Sequence, residues 1–509
     1  MQNTIGSYGE SRSSIDQVLK YAETLDNKIL AHVHQLSCTE KETSDHAQVA
    51  VDGCKILNLY GLGIPDTLTK VYIIKEEAKS KMALKYGSYS KLTKLKMNED
   101  RGIFWIISEV NRYAMFSGNK NLQKVLCWKA IQIAIKHGVD AHFPSILASL
   151  SMSMVSSGKF KSAQEVGNVA LALRDEIRHD IDNRAMIQFY VSGHVSCLLQ
   201  PFRSSLGPML EAHKDFKLVG NTELRVASMM VHFYIYFAAG QELGPLIESR
   251  LVLSEGEARR VDRPTFLIQF QIARQFALNL RTRNDSPSEL CGPAFCEGEE
   301  LCAMNDKARK MALRDSSSYR LQLAFIFNNE SAMISLLEIL KDYPLYDVVP
   351  SRLHNRLCFT GLAAFTLDNE GNESFMKLGL QCLRYFKKLK EQGSVNAKPV
   401  YLFMKALKRS NRQAFSSAID ACAEATFIHL EAMAREQFAL FLYKENDTKA
   451  GNDYLTSAFW LYRDWRADFK ALRMSEEYEF LKVRHYDVIV ASANHCQPNL
   501  ANLSTFCAS

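Results

Sequence analysis

Apolar residues recur at three- and four-residue spacing through most of the chain, the pattern of helices that bury one face. The pattern is plainest in Phe143–Asp175. One arm carries Phe143, Ile146, Leu147, Leu150, Met154 and Val155, and Gly158-Lys159-Phe160 turns it. The other arm returns through Ala163, Val166, Gly167, Val169, Ala170 and Leu173. Ala163, Gly167 and Ala170 fall near one another on one face, where small side chains let two helices press close. The stretch predicts an antiparallel helix pair.

Similar turns follow along the chain. Gly118, Gly158, Gln200-Pro201, Gly240, Asn284, Asn328, Gly371, Asn411 and Asn446 each interrupt an apolar pattern, at intervals of about 40 residues. Glycine and asparagine accept the left-handed backbone that ends a helix. Each interval holds two helices and two loops. A period of this length predicts an all-α chain, an α-solenoid of stacked antiparallel hairpins in which the exposed stripe of one pair becomes the core of the next. Ahead of this rhythm, Ser14–Gln35 and Glu42–Leu59 read as a first pair, Thr67–Tyr86 as a basic helix and Gly87–Asp100 as a polar connector. Near the other end, Ala450, Tyr454, Leu455, Ala458, Phe459, Tyr462 and Trp465 form one broad apolar stripe. The expected organisation is a disordered N-terminus over 1–13, one repeat array over 14–480 with an irregular loop at 285–298, and a weakly ordered tail over 481–509. No pair of alternating runs is joined by a hairpin turn, and the Asp52-Gly53 dipeptide sits inside a helical pattern.

The structural residues expected to matter most are Gly118, Gly158, Ala163, Ala170, Gly240, Ala458 and Trp465. The turn Gly158-x-Phe160-x-x-Ala163, with Ala170 seven residues further on, resembles the tetratricopeptide repeat, whose second helix packs small residues on the first. The array also resembles the helical region of large multi-domain signalling ATPases. Four landmarks carry that second likeness: Leu57-x-x-x-Gly61-Leu62-Gly63-Ile64-Pro65; the Ile103–Phe116 helix leading into Leu122–His137; Leu278-Asn279-Leu280 followed by Leu290-Cys291-Gly292-Pro293-Ala294-Phe295-Cys296-Glu297; and Tyr454-x-x-x-Ala458-x-x-x-Tyr462-x-x-Trp465-x-Ala467. In that family the helices lie between a P-loop ATPase module and sensor, histidine-kinase or cyclase domains. The resemblance implies a regulatory or spacer role with signalling ATPase or kinase domains as protein partners. It departs from the family in its motifs. Gly158-Lys159 has Ser153 where a P-loop needs its first glycine and Phe160 where it needs Ser or Thr. No kinase catalytic loop or Asp-Phe-Gly occurs. The chain therefore reads as the helical middle of such a protein. The alternative reading makes it a fragment of an ATP-dependent signalling kinase whose catalytic domains lie outside it.

Composition narrows this further. Hydrophobic residues make up 47% and charged residues 23%, and 62 basic against 56 acidic residues leave a net charge of +6. Over 509 residues that excess is too thin to imply a nucleic-acid or membrane partner. Ala141–Gly158 and Val226–Gly240 are the most apolar stretches, and both are shorter than the roughly 20 residues a span requires. The polar Met1–Ser14 shows no signal peptide. Cys54, Cys127, Cys197, Cys358, Cys382 and Cys422 sit in apolar helical segments, as reduced thiols of a cytoplasmic protein do.

No residue set qualifies as catalytic, cofactor-binding or metal-ligating, and no small-molecule substrate is evident. The expected role is non-enzymatic. Cys291, Cys296 and Cys302 are spaced too widely for a zinc pair, with no histidine nearby. His32 and His34 lie two apart and point to different sides of a helix. His137 and His142 bracket a helix junction, where imidazoles meet terminal carbonyls. Ser192-Gly193-His194 reads as a polar patch within a helix. Glu297, Glu299 and Glu300 read as acids at a helix start, favoured by the helix dipole. The strongest charge feature is Lys70, Lys75, Lys79, Lys81, Lys85, Lys91, Lys94 and Lys96, partly offset by Glu76, Glu77, Glu99 and Asp100. A second basic set is Lys387, Lys388, Lys390, Lys398, Lys405, Lys408 and Arg409. Either is expected to be a solvated face or a surface for an acidic partner; RNA binding is the remaining alternative.

Overall fold

The computed structural model describes residues 8–43, 45–84, 88–97, 102–177, 180–260, 264–302, 304, 306–346, 349–367 and 373–482. Within them the protein is all-α, and no strand occurs among the described residues. Two isolated bridges, Met97 with Val139 and Cys291 with Cys296, are the extended pairings found there. The chain divides into two compact units.

The first unit comprises Met1–Ala239 together with Leu345–Asn355 and Lys387–Ala397. Its helices are α1 (Tyr8–Tyr21), α2 (Leu25–Thr43), α3 (His46–Leu59), α4 (Lys70–Ala83), α5 (Ile103–Phe116), α6 (Lys120–His137), α7 (Phe143–Ser156), α8 (Phe160–Arg174), α9 (Ile181–Val191), α10 (Cys197–Leu199), α11 (Arg203–Leu218) and α12 (Thr222–Ala238). Neighbours in sequence pack on one another, α7 on α8 and α11 on α12 most extensively. Every residue of α7 from Phe143 to Val155 is buried. Ala163 and Ala170 of α8 are fully buried, as the small-residue face predicts. A Cβ on Gly53 of α3 would meet Val110 of α5 at 2.3 Å, so the Asp-Gly pair marks close helix contact and not a hairpin.

The second unit comprises Gly240–Pro344, Arg356–Phe386 and Lys398–Ser509. Here α13 (Pro245–Arg260) packs on α14 (Pro264–Arg281), and the short α15 (Glu297–Cys302) packs on α16 (Asp306–Ile326). After α17 (Glu330–Leu340), α18 (Pro350–Thr366), α19 (Glu373–Glu391) and α20 (Ala397–Arg409), the chain continues as α21 (Arg412–Glu424), α22 (Ile428–Lys444), α23 (Thr448–Asp464) and α24 (Asp468–Glu477). Ala458 is fully buried on α23, which packs along α22, and Trp465 is buried just beyond it.

One turn recurs in both units. A residue with positive φ follows the helix, and the next residue's N–H reaches back to a carbonyl five positions earlier, the wrap that satisfies a helix's last acceptors. Asn119 bonds Ala114 O at 2.8 Å, Lys159 bonds Met154 O at 3.0 Å, Asn221 bonds Phe216 O at 2.9 Å and Asp447 bonds Leu442 O at 2.9 Å. In several turns the residue after the left-handed one then caps the next helix. Asn119, Asn221, Asn329, Asn411 and Asp447 each accept a backbone N–H of the following helix on the side-chain oxygen.

Several expectations change. Ser14–Gln35 is not one helix: it breaks between Tyr21 and Leu25, where the Thr24 hydroxyl accepts the N–H of Asn27 at 3.2 Å. The first helix starts at Tyr8, inside the stretch expected to be disordered. The turn placed at Asn411 has Ser410 in the left-handed conformation, with φ 48°, and Asn411 as the cap. Gly371 lies outside the described residues, as do Lys85, Glu99, Asp100 and most of the C-terminal tail. The connector near Gly87 contains a 3-10 turn, Tyr89–Lys94, with Leu92 buried. The irregular stretch at 285–298 is pinned from α14. Gln275 accepts the N–H groups of Ala294 and Phe295 at 3.0 and 3.3 Å, and Asn279 donates to the carbonyls of Pro287 and Glu289.

Candidate functional site

Helix α4 supplies four of the basic residues singled out in the sequence, and its amphipathicity is inverted. The face turned inward is polar: Glu76 is 1% exposed and Ser80 fully buried. Ser80 donates to the Trp128 carbonyl at 2.8 Å. Gln132 donates to Glu76 and Ser80 at 3.1 Å each, Lys79 reaches Glu76 at 2.8 Å, and Lys129 lies 3.7 Å from the same carboxylate. Burial opposes ionisation of Glu76, but the hydrogen bonds from Lys79 and Gln132 and the Lys129 charge together hold it below the usual carboxylate range. The outward face sets large apolar side chains among the exposed Lys75 and Lys79. Val71, Ile74 and Met82 are 76%, 66% and 61% exposed. A polar clasp ties this helix to α6.

A cavity of about 260 Å³ opens beside the clasp. Three helical stripes line it at positions i, i+3, i+4 and i+7 or subsets of these: Lys70, Ile73, Ile74 and Glu77 from α4; Asn121, Lys124 and Trp128 from α6; Leu150, Ser153, Met154 and Ser157 from α7. Lys159, at the N-cap of α8, completes the rim. Glu77, the acid in the lining, is clamped on one oxygen by Lys81 and Lys159, each at 2.7 Å. Burial works against its charge and these lysines outweigh it, so its pKa lies below the ordinary value. Lys124 makes no ion pair with the described residues, and burial, reinforced by Lys159 and Lys120, lowers its pKa. The indole N–H of Trp128 and the hydroxyl of Ser153 are buried with no hydrogen-bond partner among the described residues. The sequence shows the lysines as a basic run, a solvated face or a surface for an acidic partner, but gives no sign of the cavity that α4, α6 and α7 enclose beside them.

The other candidates lie elsewhere. Lys91 and Lys94 sit on the 3-10 turn. Of the second basic set, Lys398 pairs with Glu424 at 2.7 Å, Lys387 with Glu391 at 3.9 Å, and Lys405 lies over the Tyr401 ring. Ser192-Gly193-His194, read as a polar patch within a helix, forms a buried π-helical turn, Ser192–Ser196, with His194 Nδ1 3.2 Å from Ser351 Oγ. His142 meets no terminal carbonyl through Nδ1, which lies 2.8 Å from Asn183 Nδ2, while its ring stacks on Trp105. His32 is buried and His34 exposed. Glu299 and Glu300 do lie in the first turn of α15, and Glu297 additionally binds Arg320. Cys54 is half-buried, whereas the other five helical cysteines named above are buried.

Among the described residues, one cluster could hold a metal ion, Glu40, His46 and Glu223, and the three thiols Cys291, Cys296 and Cys302 do not converge on a common point. His46 Nε2 lies 3.3 Å from Glu40 and 4.0 Å from Glu223. Buried Arg112, ion-paired with Glu109, adds its field to Glu223. A second buried charge group occupies the other unit. Glu436 accepts from Lys470 at 2.6 Å, from Asn328 at 2.7 Å and from the Tyr462 hydroxyl at 2.7 Å. This arrangement is saturated and offers nothing to a ligand.

No helix among the described residues is long and apolar enough to cross a membrane. No protein-family model matches the chain, and no curated protein shows significant similarity to it.

Proposed function

We propose that the chain is a non-enzymatic helical-repeat scaffold that binds another protein, and that the partner docks on α4 and the adjoining lysine-lined cavity. The observation that carries this reading is the inverted helix: α4 spends its polar face on the protein and leaves Val71, Ile74 and Met82 in water beside Lys70 and Lys124. Full burial of such side chains is worth about 1.5–3 kcal/mol each, a cost the free chain carries without return. An amphipathic acidic segment fits, with apolar residues for the stripe and negative groups for the lysines.

The repeat reading extends to the period. Left-handed turn residues fall at Gly118, Gly138 and Gly158, at Gly220 and Gly240, and at Thr426, Asn446 and Arg466. Each step is one helix and one turn, so that two steps make a hairpin of about 40 residues. On this basis we read the chain as an α-solenoid of tetratricopeptide-like hairpins. Its resemblance to signalling ATPases makes domains of such proteins the partners to test first.

The test compares proteins retained by the wild-type chain with those retained by Val71→Asp/Ile74→Asp, both exposed positions whose replacement leaves the thermal midpoint unchanged. A partner lost from the variant is then expressed and titrated. Its Kd is expected to rise at least tenfold for the double variant and for Lys124→Glu. Equal affinity across the three chains would remove α4 as the docking site.

A further inference from the structure

The docking reading leaves open what enters the cavity itself. Its polar lining is rich in donors, set beside Asn121, Ser153 and Ser157, which can donate or accept, and the single carboxylate of Glu77. Lys70, Lys124 and Lys159 bring ammonium groups, Trp128 an indole N–H and Ser153 a hydroxyl. Lysine and indole can donate but never accept. Trp128 is 2% exposed and Ser153 4% exposed, and neither polar atom has a partner among the described residues. A buried donor left unpaired costs about 1–3 kcal/mol, so an acceptor placed here recovers an existing loss. The acid present, Glu77, is already shared between Lys81 and Lys159. Three lining lysines against that one carboxylate leave a surplus of two positive charges. Ile73, Ile74, Leu150 and Met154 give the 260 Å³ space an apolar side; it is larger than a bare tetrahedral anion needs and apolar where the carrier of that anion would lie.

We propose that this cavity binds a phosphate monoester, the doubly charged head on Lys70, Lys124, Lys159 and the Trp128 N–H, and its carrier against Ile73, Leu150 and Met154. The inference rests on the docking reading in one respect: the carrier is a phosphorylated side chain of the partner. A dianion with three terminal oxygens can accept from all these donors at once, whereas a carboxylate has one charge and two oxygens to offer.

The test titrates the purified full chain with phenyl phosphate, benzoate, inorganic phosphate, a phosphoserine peptide and a single-stranded RNA oligonucleotide at constant ionic strength. Binding is read by calorimetry and by the indole N–H resonance of Trp128, assigned with Trp128→Phe. Phenyl phosphate is expected to saturate, to bind at least tenfold more tightly than benzoate, to shift the Trp128 resonance, and to weaken at least tenfold in Lys124→Gln and in Lys70→Gln. The phosphoserine peptide is expected to bind at least as tightly as inorganic phosphate. Benzoate binding equally well, no saturation, or indifference to both lysine variants would overturn the site. Inorganic phosphate binding more tightly than the peptide would overturn the protein-borne source, and tighter binding of RNA would overturn the monoester. Phenyl phosphate binding that survives when Val71→Asp, a position outside the cavity lining, shows no partner loss would uphold this site and refute only the docking face.

Discussion

Glu436 shows what a buried charge requires in this protein. Its oxygens meet an ammonium, an amide and a phenol, and Lys470, itself buried, also lies over the Phe327 and Tyr462 rings. Replacing Glu436 by Ala strands Lys470 in a site where its charge has no counterion. The expected cost is about 3–5 kcal/mol, read from urea denaturation. Replacing Glu436 and Lys470 together by Gln and Met is expected to cost less than Glu436→Ala alone, because no charge is then left unpaired. A double variant less stable than the single one would refute the pair. His194 makes the opposite arrangement. It is buried, edge-on to Phe189 and close to Ser351 Oγ, and burial lowers its pKa to about 3 from 6.5. Buried His354 behaves alike. Such a histidine is neutral in the folded state, so its contribution to stability is complete above pH 6.5 and declines as pH falls toward 3, where only the unfolded chain takes up the proton. His194→Gln is expected to flatten that decline, by up to about 1.4 kcal/mol per pH unit, in denaturation midpoints measured between pH 7 and 4. A slope identical to wild type would show that His194 is not held neutral.

At the scale of the helix and its turn, glycines with similar φ do different work. Gly220 has φ 75° and open space around a would-be Cβ; Gly240 has φ 60° and would place a Cβ 2.2 Å from His429 Nδ1. Gly220→Ala is expected to cost about 1–2 kcal/mol, the left-handed penalty alone. Gly240→Ala adds overpacking against an imidazole, about 1–3 kcal/mol more. Denaturant titration of the two variants measures the difference, and equal losses would contradict the close approach. These turns also show how far the chain could be read from its residues. Gly118, Gly158, Gly240, Asn328 and Asn446 announce themselves, because glycine and asparagine tolerate positive φ. Thr426 and Arg466 adopt the same conformation, with φ 57° and 63°, and no side-chain preference reveals them; their helices impose the wrap. The site was half legible for a related reason. The lysines of α4 were visible as a basic run and Glu76 only as a partial offset to their charge, whereas the clasp with Gln132 and Lys129 buries it. The intrinsic pattern of α4 was overridden by partners that lie more than 40 positions away on α6.

At the scale of the whole molecule, the question is whether charge acts in bulk or at a place. The net charge is +6, and lysines are scattered over both units. Across about 8 Å of physiological salt, exposed charges lose most of their mutual influence. A lysine far from the docked group therefore adds little, while one facing it in a half-buried cavity is screened less. Two sets of substitutions separate these cases. Lys70→Gln with Lys124→Gln removes two charges from the cavity lining. Lys398→Gln, Lys405→Gln and Lys408→Gln remove three from α20, where Lys398 is already paired with Glu424 and Lys405 rests over Tyr401. If the partner recognises the cavity, the pair is expected to weaken binding at least tenfold and to make it less sensitive to salt, and the triple variant is expected to stay within about twofold of wild type. If attraction merely follows net charge, the triple variant would be the weaker binder, since it loses more. Titrations at two salt concentrations decide between them, because a local contact and a diffuse field differ in the slope of affinity against salt as well as in its size.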